Sequence, residues 1–251
     1  MFKINKMAIT PQQVGRLKSI IEEMGCNFDP GMTVLDFGCG NGKTVSEFRE
    51  SGLNGFGCDL ELQSNPDTDL LQEKSWIRLI QKKPYRLPFE DSTFDWVVSS
   101  QVLEHVQDYP DALSEIHRIL KKGGSSLHIF PARWKPIESH IFVPFASLLN
   151  DYWWLTIWAH LGIRNPFQKG RTAKEVALLN YDYIQGHTNY LTKKEIRNHV
   201  LKYFDNINFC EKFYLKYSTP KGHLLYQLSL ILPFVPALFS TFRTRAIFFK
   251  K

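Results

Sequence analysis

The stretch Val34-Leu-Asp-Phe-Gly-Cys-Gly-Asn-Gly-Lys-Thr44 decides the fold of this chain. Its apolar run contains an acid, Asp36, and three glycines follow at alternate positions, Gly38, Gly40 and Gly42. A glycine-rich turn between a strand and a helix lets a ligand approach the backbone closely. The free N–H groups at the start of the helix favour an anionic group such as a carboxylate. The stretch therefore predicts a ligand site where a buried strand ends.

The spacing of the glycines excludes two common nucleotide-binding turns. A dinucleotide-binding turn reads G-x-G-x-x-G, and Gly42 comes one residue too early to be its third glycine. In a phosphate-binding P-loop ending at Gly42-Lys43-Thr44, the first glycine would fall at Phe37. Asp36 would also repel a pyrophosphate. An acid at this place suits a ligand that carries a cationic amino group or hydroxyls.

Outward from this stretch, residues 11–131 alternate between helix and strand patterns. Thr10 is a candidate N-cap and Pro11 a candidate first helical residue. This alternation predicts an α/β fold with a doubly wound parallel sheet and ligands at the carboxyl ends of its strands. The periodicity predicts helices at 11–25, 43–51 and 111–121 and strands at 33–37, 54–58, 94–99 and 125–130, while 75–81 fits either a strand or a helix.

After Pro131 the alternation stops. Residues 132–190 contain four of the six tryptophans and no clear strand pattern, which indicates an insertion. Regular patterns return with a helix over 191–203, whose start resembles a capping box. A strand over 207–217, an apolar helical segment over 224–242 and a last strand over 246–249 complete the prediction.

Five motifs in order resemble those of class I S-adenosylmethionine-dependent methyltransferases, and in particular the type 11 family. The first is D-F-G-C-G-N-G at 36–42, and the second is Asp59, where the family holds ribose hydroxyls with an acid. The others are L-P-F-E-D-S-T-F-D at 87–95, V-L-E-H-V at 102–106 and L-K-K-G-G at 120–124. The resemblance covers residues 30–131, about half of the chain.

The resemblance implies a Rossmann-like seven-stranded mixed sheet with helices on both faces. Residues 1–251 would form one domain, with 132–190 as an aromatic-rich lid or substrate insertion after the fifth strand. It also implies S-adenosyl-L-methionine as cofactor. The residues expected to bind it are Asp36, Gly38, Cys39, Gly40, Asn41, Gly42, Asp59, Leu60, Ser99, Ser100 and Gln101.

One position departs from the family pattern. Four residues before Leu87, where the family often has an acid near the adenine amino group, this chain has Lys83. Backbone groups or the ring of Tyr85 would then contact the adenine.

Catalysis by this family transfers a methyl group in line, and much of it can be alignment of the two reactants. A hydroxyl acceptor usually also needs a general base. Candidate bases are His105, Glu138, His140, Tyr181 and His187, and we favour His140, Glu138 and His105 as catalytic residues. Arg133, Trp134 and His187 are the candidate substrate-binding residues. In the alternative, the 133–140 loop carries solvated charges, His105 is structural and 186–189 is a plain turn.

The predicted function is methyl transfer to a small molecule. The preferred acceptor is the hydroxyl of a sugar, a glycan or a lipid-linked molecule. A quinone-like or other apolar acceptor is the alternative, and so is a non-catalytic S-adenosylmethionine-binding module. Residues 141–160 either form a lid over a large or apolar acceptor or pack onto the sheet.

Composition constrains the partners and the compartment. The net charge is +6, but the sequence lacks the dense stripe of Lys and Arg that is typical of nucleic-acid-binding proteins. The spacing of the four cysteines matches no zinc-binding pattern, and the sequence contains no group of acids and histidines at metal-ligand spacing. The first residues do not resemble a signal peptide. We expect a reducing, cytoplasmic setting. The segment 224–242 lacks charge over 19 residues. It is predicted to be a core helix or a helix lying on a membrane surface. A transmembrane helix is the third alternative, but Pro233 and Pro236 would interrupt it.

Overall fold

A seven-stranded sheet forms the centre of the computed structural model, which describes residues 12–63 and 65–251. The predictions for Thr10 and Pro11 lie outside this range. The strands are β1 (Thr33–Phe37), β2 (Asn54–Asp59), β3 (Ile77–Leu79), β4 (Gln81–Lys82), β5 (Tyr85–Arg86), β6 (Phe94–Ser100), β7 (Leu120–Pro131), β8 (Asn208–Phe209) and β9 (Thr244–Lys250). The sheet order is β3-β2-β1-β6-β7-β9-β8, and β4 and β5 form a separate hairpin.

The pairing of the strands confirms the predicted mixed sheet. The neighbours from β3 to β7 are parallel, whereas β9 is antiparallel to both β7 and β8. The carboxyl ends of β1, β2, β6 and β7 therefore meet at one edge. In an open parallel sheet, ligands bind at that edge.

Helices cover both faces of the sheet. They are α1 (Gln12–Glu23), α2 (Lys43–Glu50), α3 (Pro66–Glu73), α4 (Tyr109–Ile119), α5 (Tyr152–His160), α6 (Ala173–His187), α7 (Lys193–Val200), α8 (Glu211–Ser218), α9 (Pro220–Ile231) and α10 (Val235–Phe242). One core packs α4 and α7 against the sheet, and a second packs α1, α2 and α8 against its other face. Strand β6 contributes to both: Val97 joins the first core, and Trp96 and Val98 join the second.

Most local predictions in the first half are confirmed, with shifts at the boundaries. The segment 75–81, which fitted two patterns, contains the short strand β3. Helix α4 begins two residues earlier than predicted, because Asp108 caps it with a side-chain oxygen that accepts the N–H of Asp111. It also ends earlier, since Leu120 already belongs to β7. The capping box at Thr192 and Glu195 is confirmed.

The predicted strand over 207–217 is wrong beyond its first residues. Only β8 is extended, and residues 211–218 form α8. The residues that contact the second core are Cys210, Phe213, Tyr214 and Tyr217, which recur at helical spacing. Apolar residues stand at alternate positions over much of this segment, as on one face of a strand, but burial follows the helical repeat.

The apolar segment 224–242 forms two helices rather than one core helix. Helical structure is interrupted between α9 and α10. Both helices are largely exposed to solvent: Leu224 is 70% and Ile231 is 78% accessible. Across residues 12–63 and 65–251, no helix combines the length and the apolar character that crossing a bilayer requires.

The segment 132–190 packs largely upon itself. Residues of its first loop, including Ile141 and Val143, share a small core with Leu155 of α5 and with Tyr183 and Ile184 of α6. The indole N–H of Trp154 donates to the carbonyl of Pro144 at 2.7 Å. The predicted packing of 141–160 onto the sheet is therefore replaced by packing within the segment. The four cysteines are free thiols.

A pair of glycine substitutions tests this packing. A Cβ on Gly57 of β2 would lie 2.7 Å from Cβ of Cys39 and 2.8 Å from Val45. We therefore expect Gly57→Ala to lower the free energy of unfolding by about 1–3 kcal/mol. Gly186 in α6 has no neighbour within 4 Å of an added Cβ, so Gly186→Ala should raise it by about 0.5–1 kcal/mol.

Urea unfolding of the two variants beside the wild type measures both effects. Equal stability of Gly57→Ala and the wild type would contradict the close approach of β2 to the turn after β1.

Candidate functional site

The turn after β1 is built from glycines in the left-handed region. The φ angles of Gly38, Gly40 and Gly42 are 79°, 57° and 74°, a conformation that residues with a Cβ rarely adopt. The N–H groups of Gly38 and Cys39 both donate to the carbonyl of Cys58, at 2.7 and 3.0 Å. The turn is thereby fixed to the end of β2.

Two of these glycines also make room for the protein itself. A Cβ on Gly38 would lie 2.5 Å from a methyl group of Val102, and one on Gly42 would lie 2.5 Å from Leu71. The sequence analysis explains these glycines by the close approach of a ligand. The packing of Val102 and Leu71 also requires glycine at these two positions.

Asp59 connects the end of β2 to the glycine turn. One of its carboxylate oxygens accepts the N–H of Gly40 at 2.7 Å, and the other accepts the N–H of Leu60 at 2.7 Å. Asp36, in β1, is buried. The carbonyl of Asn41 accepts the hydroxyl of Thr68 at 2.9 Å. The structure thus brings together the residues predicted to bind cofactor at the ends of β1 and β2.

Tyr85, the residue suggested for the adenine, lies in the β4–β5 hairpin and packs against the first core. Burial raises its pKa, and the charge of Asp59 is among those that raise it further.

The end of β6 contains Ser99, one of the residues predicted to bind the cofactor. Its hydroxyl lies 2.7 Å from Nδ1 of buried His128, whose Nε2 lies 2.6 Å from the hydroxyl oxygen of Ser126. Because Ser126 donates its proton to the carbonyl of Val97, Nε2 carries the imidazole proton and Nδ1 accepts from Ser99. The side chain of Ser99 thus belongs to a buried network.

Two neighbouring residues remain at the edge of the sheet. Ser100 and Gln101 are half-buried, and the backbone of Gln101 has a φ of 59°. Its N–H donates to the carbonyl of Ile129 at 2.8 Å.

A second group of polar side chains assembles beyond β6 and β7, around the buried carboxylate of Glu138. It accepts Nδ1–H of His140 at 2.6 Å, the hydroxyl of Tyr190 at 2.6 Å, and the N–H groups of His140 and Ile141 at 2.7 and 2.8 Å. Burial raises the pKa of Glu138, but these donors and the charge of His140 outweigh it and bring the pKa to about 2. Glu138 is therefore ionised.

His140 is oriented by this carboxylate. Burial lowers the pKa of His140, but the hydrogen bond and the charge of Glu138 raise it by more, so the net direction is upward. Its ring lies 4.9 Å from that of His105 and 5.4 Å from that of Tyr183. Because Nδ1 bonds to Glu138, Nε2 is the nitrogen that is left for chemistry.

His105 stands in the short 3₁₀ turn Leu103–His105 after β6. Its Nδ1 donates to the carbonyl of His187 at 2.6 Å, and its Nε2 lies 3.8 Å from a carboxylate oxygen of Glu104. One ligating atom from each of Glu104, His105 and His140 lies within 4.8 Å of the others. We call these three residues the Glu104 cluster. The sequence pattern does not predict these three residues as a group, although Glu104 stands in the V-L-E-H-V motif.

The residues predicted to bind substrate have different surroundings in the structure. Arg133 faces Glu195 of α7 at 3.6 Å, and Trp134 is half exposed on the same loop. The exposed ring of His187 stacks on Tyr183 at 5.3 Å, and this residue ends α6 rather than forming a plain turn. Tyr181 packs against Tyr152 instead.

Residues 35–127 match the sequence model of a methyltransferase domain. The matched residues include the glycine turn after β1 and the strands β2, β3 and β6, so the match and the fold agree over this part of the chain.

Two curated relatives are demethylmenaquinone methyltransferases. The chain is 33% identical to the one from Staphylococcus aureus over 43% of this chain and 45% of the relative. It is 31% identical to the one from Lactococcus lactis over 50% of this chain and 57% of the relative. The match thus spans about half the length of these relatives.

The fold extends over more of the chain than the sequence match. A solved S-adenosylmethionine-dependent methyltransferase from Mesorhizobium loti has a TM-score of 0.54 at 14% identity and covers 96% of this chain and 98% of its own. At this identity, the likeness concerns the fold.

The buried network around His128 predicts a pH effect on stability. Burial lowers the pKa of His128 from 6.5 to about 3. The unfolded chain therefore takes up a proton below pH 6.5 that the folded chain does not, so stability is lost as the pH falls. Between pH 7 and pH 5 the wild type should lose about 2 kcal/mol more than His128→Gln.

Urea unfolding at both pH values checks this difference. His160→Gln, which replaces an exposed histidine of α5, should keep the dependence of the wild type. Identical losses in the wild type and His128→Gln would show that His128 is not held neutral.

Proposed function

We propose that this chain transfers the methyl group of S-adenosylmethionine to an apolar, quinone-like acceptor. The observation that carries the proposal is the methyltransferase domain, whose glycine turn and two acids, Asp36 and Asp59, lie at the carboxyl ends of β1 and β2. The acceptor would meet the methyl group at the neighbouring ends of β6 and β7.

For the cofactor, we assign the methionine portion to Asp36 and to the turn Gly38-Cys39-Gly40-Asn41-Gly42. Asp36 suits the cationic amino group. Asp59 suits the ribose, because its carboxylate lies at the end of β2 beside the glycine turn and carboxylate oxygens accept hydrogen bonds from hydroxyls. Ser100 and Gln101 would line the methyl-donor end.

The reaction needs an acceptor atom in line with the sulfur–methyl bond. A lone pair of the acceptor forms the new bond to carbon, and the electron pair of the old bond stays on sulfur. Holding the reactants in this geometry is equivalent to an effective molarity of about 10⁵ M or more. His140, aligned by Glu138, is the side chain that we place nearest the reacting oxygen, with His105 beside it.

Two observations favour an apolar acceptor over the sugar or glycan hydroxyl preferred from the sequence. The two curated relatives carry the name of a quinone methyltransferase. Exposed apolar side chains are also abundant on α5 and on α9–α10, among them Trp153 at 78% and Ile231 at 78%. A module that only binds the cofactor would not need the hydrogen-bonded Glu138–His140 pair.

The helix pair α9–α10 favours an acceptor that is delivered from a lipid surface. Arg243 follows α10, and its carbonyl accepts the N–H of Ala132 at 3.1 Å, so this pair ends beside the carboxyl end of β7. Exposed Leu224 and Ile231 would enter the lipid, while Lys221 and Arg243 would face anionic headgroups.

Calorimetric titration tests the cofactor assignment. S-adenosylmethionine and its demethylated product should bind the wild type, and Asp59→Ala should weaken binding about 10–100-fold, since it removes acceptors of two hydroxyl hydrogen bonds. Glu61→Ala, which removes an exposed acid two residues away, should bind like the wild type. Wild type that binds neither compound would overturn the cofactor assignment.

Acceptor profiling tests the second half of the proposal. With labelled methyl donor, a hydroquinone that carries a prenyl tail should be methylated, and sugars or glycans should not. For the long-tailed acceptor in anionic vesicles, the double variant Leu224→Ser, Ile231→Ser should lower turnover at least about 3-fold by weakening membrane contact.

The same double variant should methylate a water-soluble, short-tailed acceptor at the rate of the wild type. Leu201→Ser, at another exposed leucine, should match the wild type on both acceptors. Methylation confined to glycans would refute the apolar acceptor and leave the cofactor assignment intact.

A further inference from the structure

The Glu104 cluster combines a carboxylate and two imidazoles from segments far apart in the sequence. Glu104 and His105 follow β6, and His140 lies in the loop after β7. Their ligating atoms lie within 4.8 Å of one another. Bonds of about 2.0–2.2 Å to a transition-metal ion bring ligand atoms to about 3.5 Å. Shifts of about 1 Å in these side chains would therefore close the set around an ion.

The orientation of both imidazoles is typical of metal ligands. A ligating histidine usually donates its second N–H to a carboxylate or a backbone carbonyl, which fixes the ring and the tautomer. Both kinds of acceptor occur here. Nδ1 of His140 donates to Glu138 at 2.6 Å, and Nδ1 of His105 donates to the carbonyl of His187 at 2.6 Å. In each ring Nε2 is then the nitrogen that can ligate.

The charges near the cluster also favour a cation. Glu104 and Glu138 are both buried acids, and the ammonium of Lys135 near them donates to Ser139. Two buried carboxylates in one place favour a bound cation, because a buried charge needs a compensating one.

We propose that Glu104, His105 and His140 bind a divalent transition-metal ion, with Glu138 and the carbonyl of His187 orienting the two imidazoles. Two nitrogens and one oxygen suit an ion such as Zn²⁺ or Mn²⁺. Three protein ligands leave coordination positions open, as in catalytic rather than structural sites.

The open positions would accept oxygen atoms of the acceptor, so this step rests on the proposed function. The ion would lower the pKa of a coordinated ring hydroxyl, whose proton passes to solvent. The oxygen lone pair then forms the bond to the methyl carbon, and the electron pair of the sulfur–methyl bond stays on sulfur. In this arrangement Nε2 of His140 binds the ion and is not the general base.

Metal binding is measured without turnover. Metal-free protein is titrated with manganese(II) chloride, and free Mn²⁺ is counted by electron paramagnetic resonance. The wild type should bind one equivalent, and Glu104→Gln and His140→Gln should each raise the Kd at least about 10-fold. His187→Gln should bind like the wild type, because it keeps the backbone carbonyl that orients His105.

Titration with S-adenosylhomocysteine separates failure of this site from failure of the cofactor site. Each variant should bind that product like the wild type, which also shows that it is folded. If one variant does not fold, His105→Gln takes its place. No Mn²⁺ binding by the wild type at millimolar concentration, or equal binding by wild type and ligand variants, would overturn the metal site. Activity that survives chelation but not His140→Gln would return His140 to the role of general base.

Discussion

The buried carboxylate of Glu138 is the interaction on which the far side of the site depends. An ionised acid out of contact with water is tolerated only when donors surround it, and this one accepts four hydrogen bonds. Two of them come from backbone N–H groups in its own loop, and Tyr190 supplies another from beyond α6. The carboxylate therefore joins the beginning and the end of segment 132–190 and fixes the ring of His140 between them.

The sequence predicts best those features that are local. The five motifs lie within residues 30–131, and each lies at or next to one end of a strand, so their spacing indicates the sheet and the cofactor edge. The same logic failed at 207–217, where the spacing of the apolar residues is compatible with both a strand and the face of α8. Packing against α1, which a local pattern does not contain, decides that segment. The hydrogen bond of Ser99 is likewise not visible in a local pattern, since its partner His128 is on the neighbouring strand.

The candidate site was predictable residue by residue but not as a constellation. His105, Glu138, His140 and His187 each stood out as candidates from their place after a strand or at the end of the insertion. Their arrangement depends on contacts such as that of His105 with the carbonyl of His187, across 82 residues. Glu104 was hidden because a buried acid beside a histidine gives no periodic signal, and Tyr190 because its role depends on where Glu138 lies.

The pairing of β9 with β7 has a consequence for how the molecule folds. Thr244 is opposite Pro131, so this pairing closes a loop of about 110 residues, and the entropy cost of closure grows with loop length. That loop contains the aromatic segment and the apolar helix pair, whereas β1, β2, β3 and β6 pair over shorter separations. Non-local pairings of this kind form slowly. The half of the sheet that carries the glycine turn can thus assemble first, and the half that carries the acceptor side is completed when β9 enters between β7 and β8.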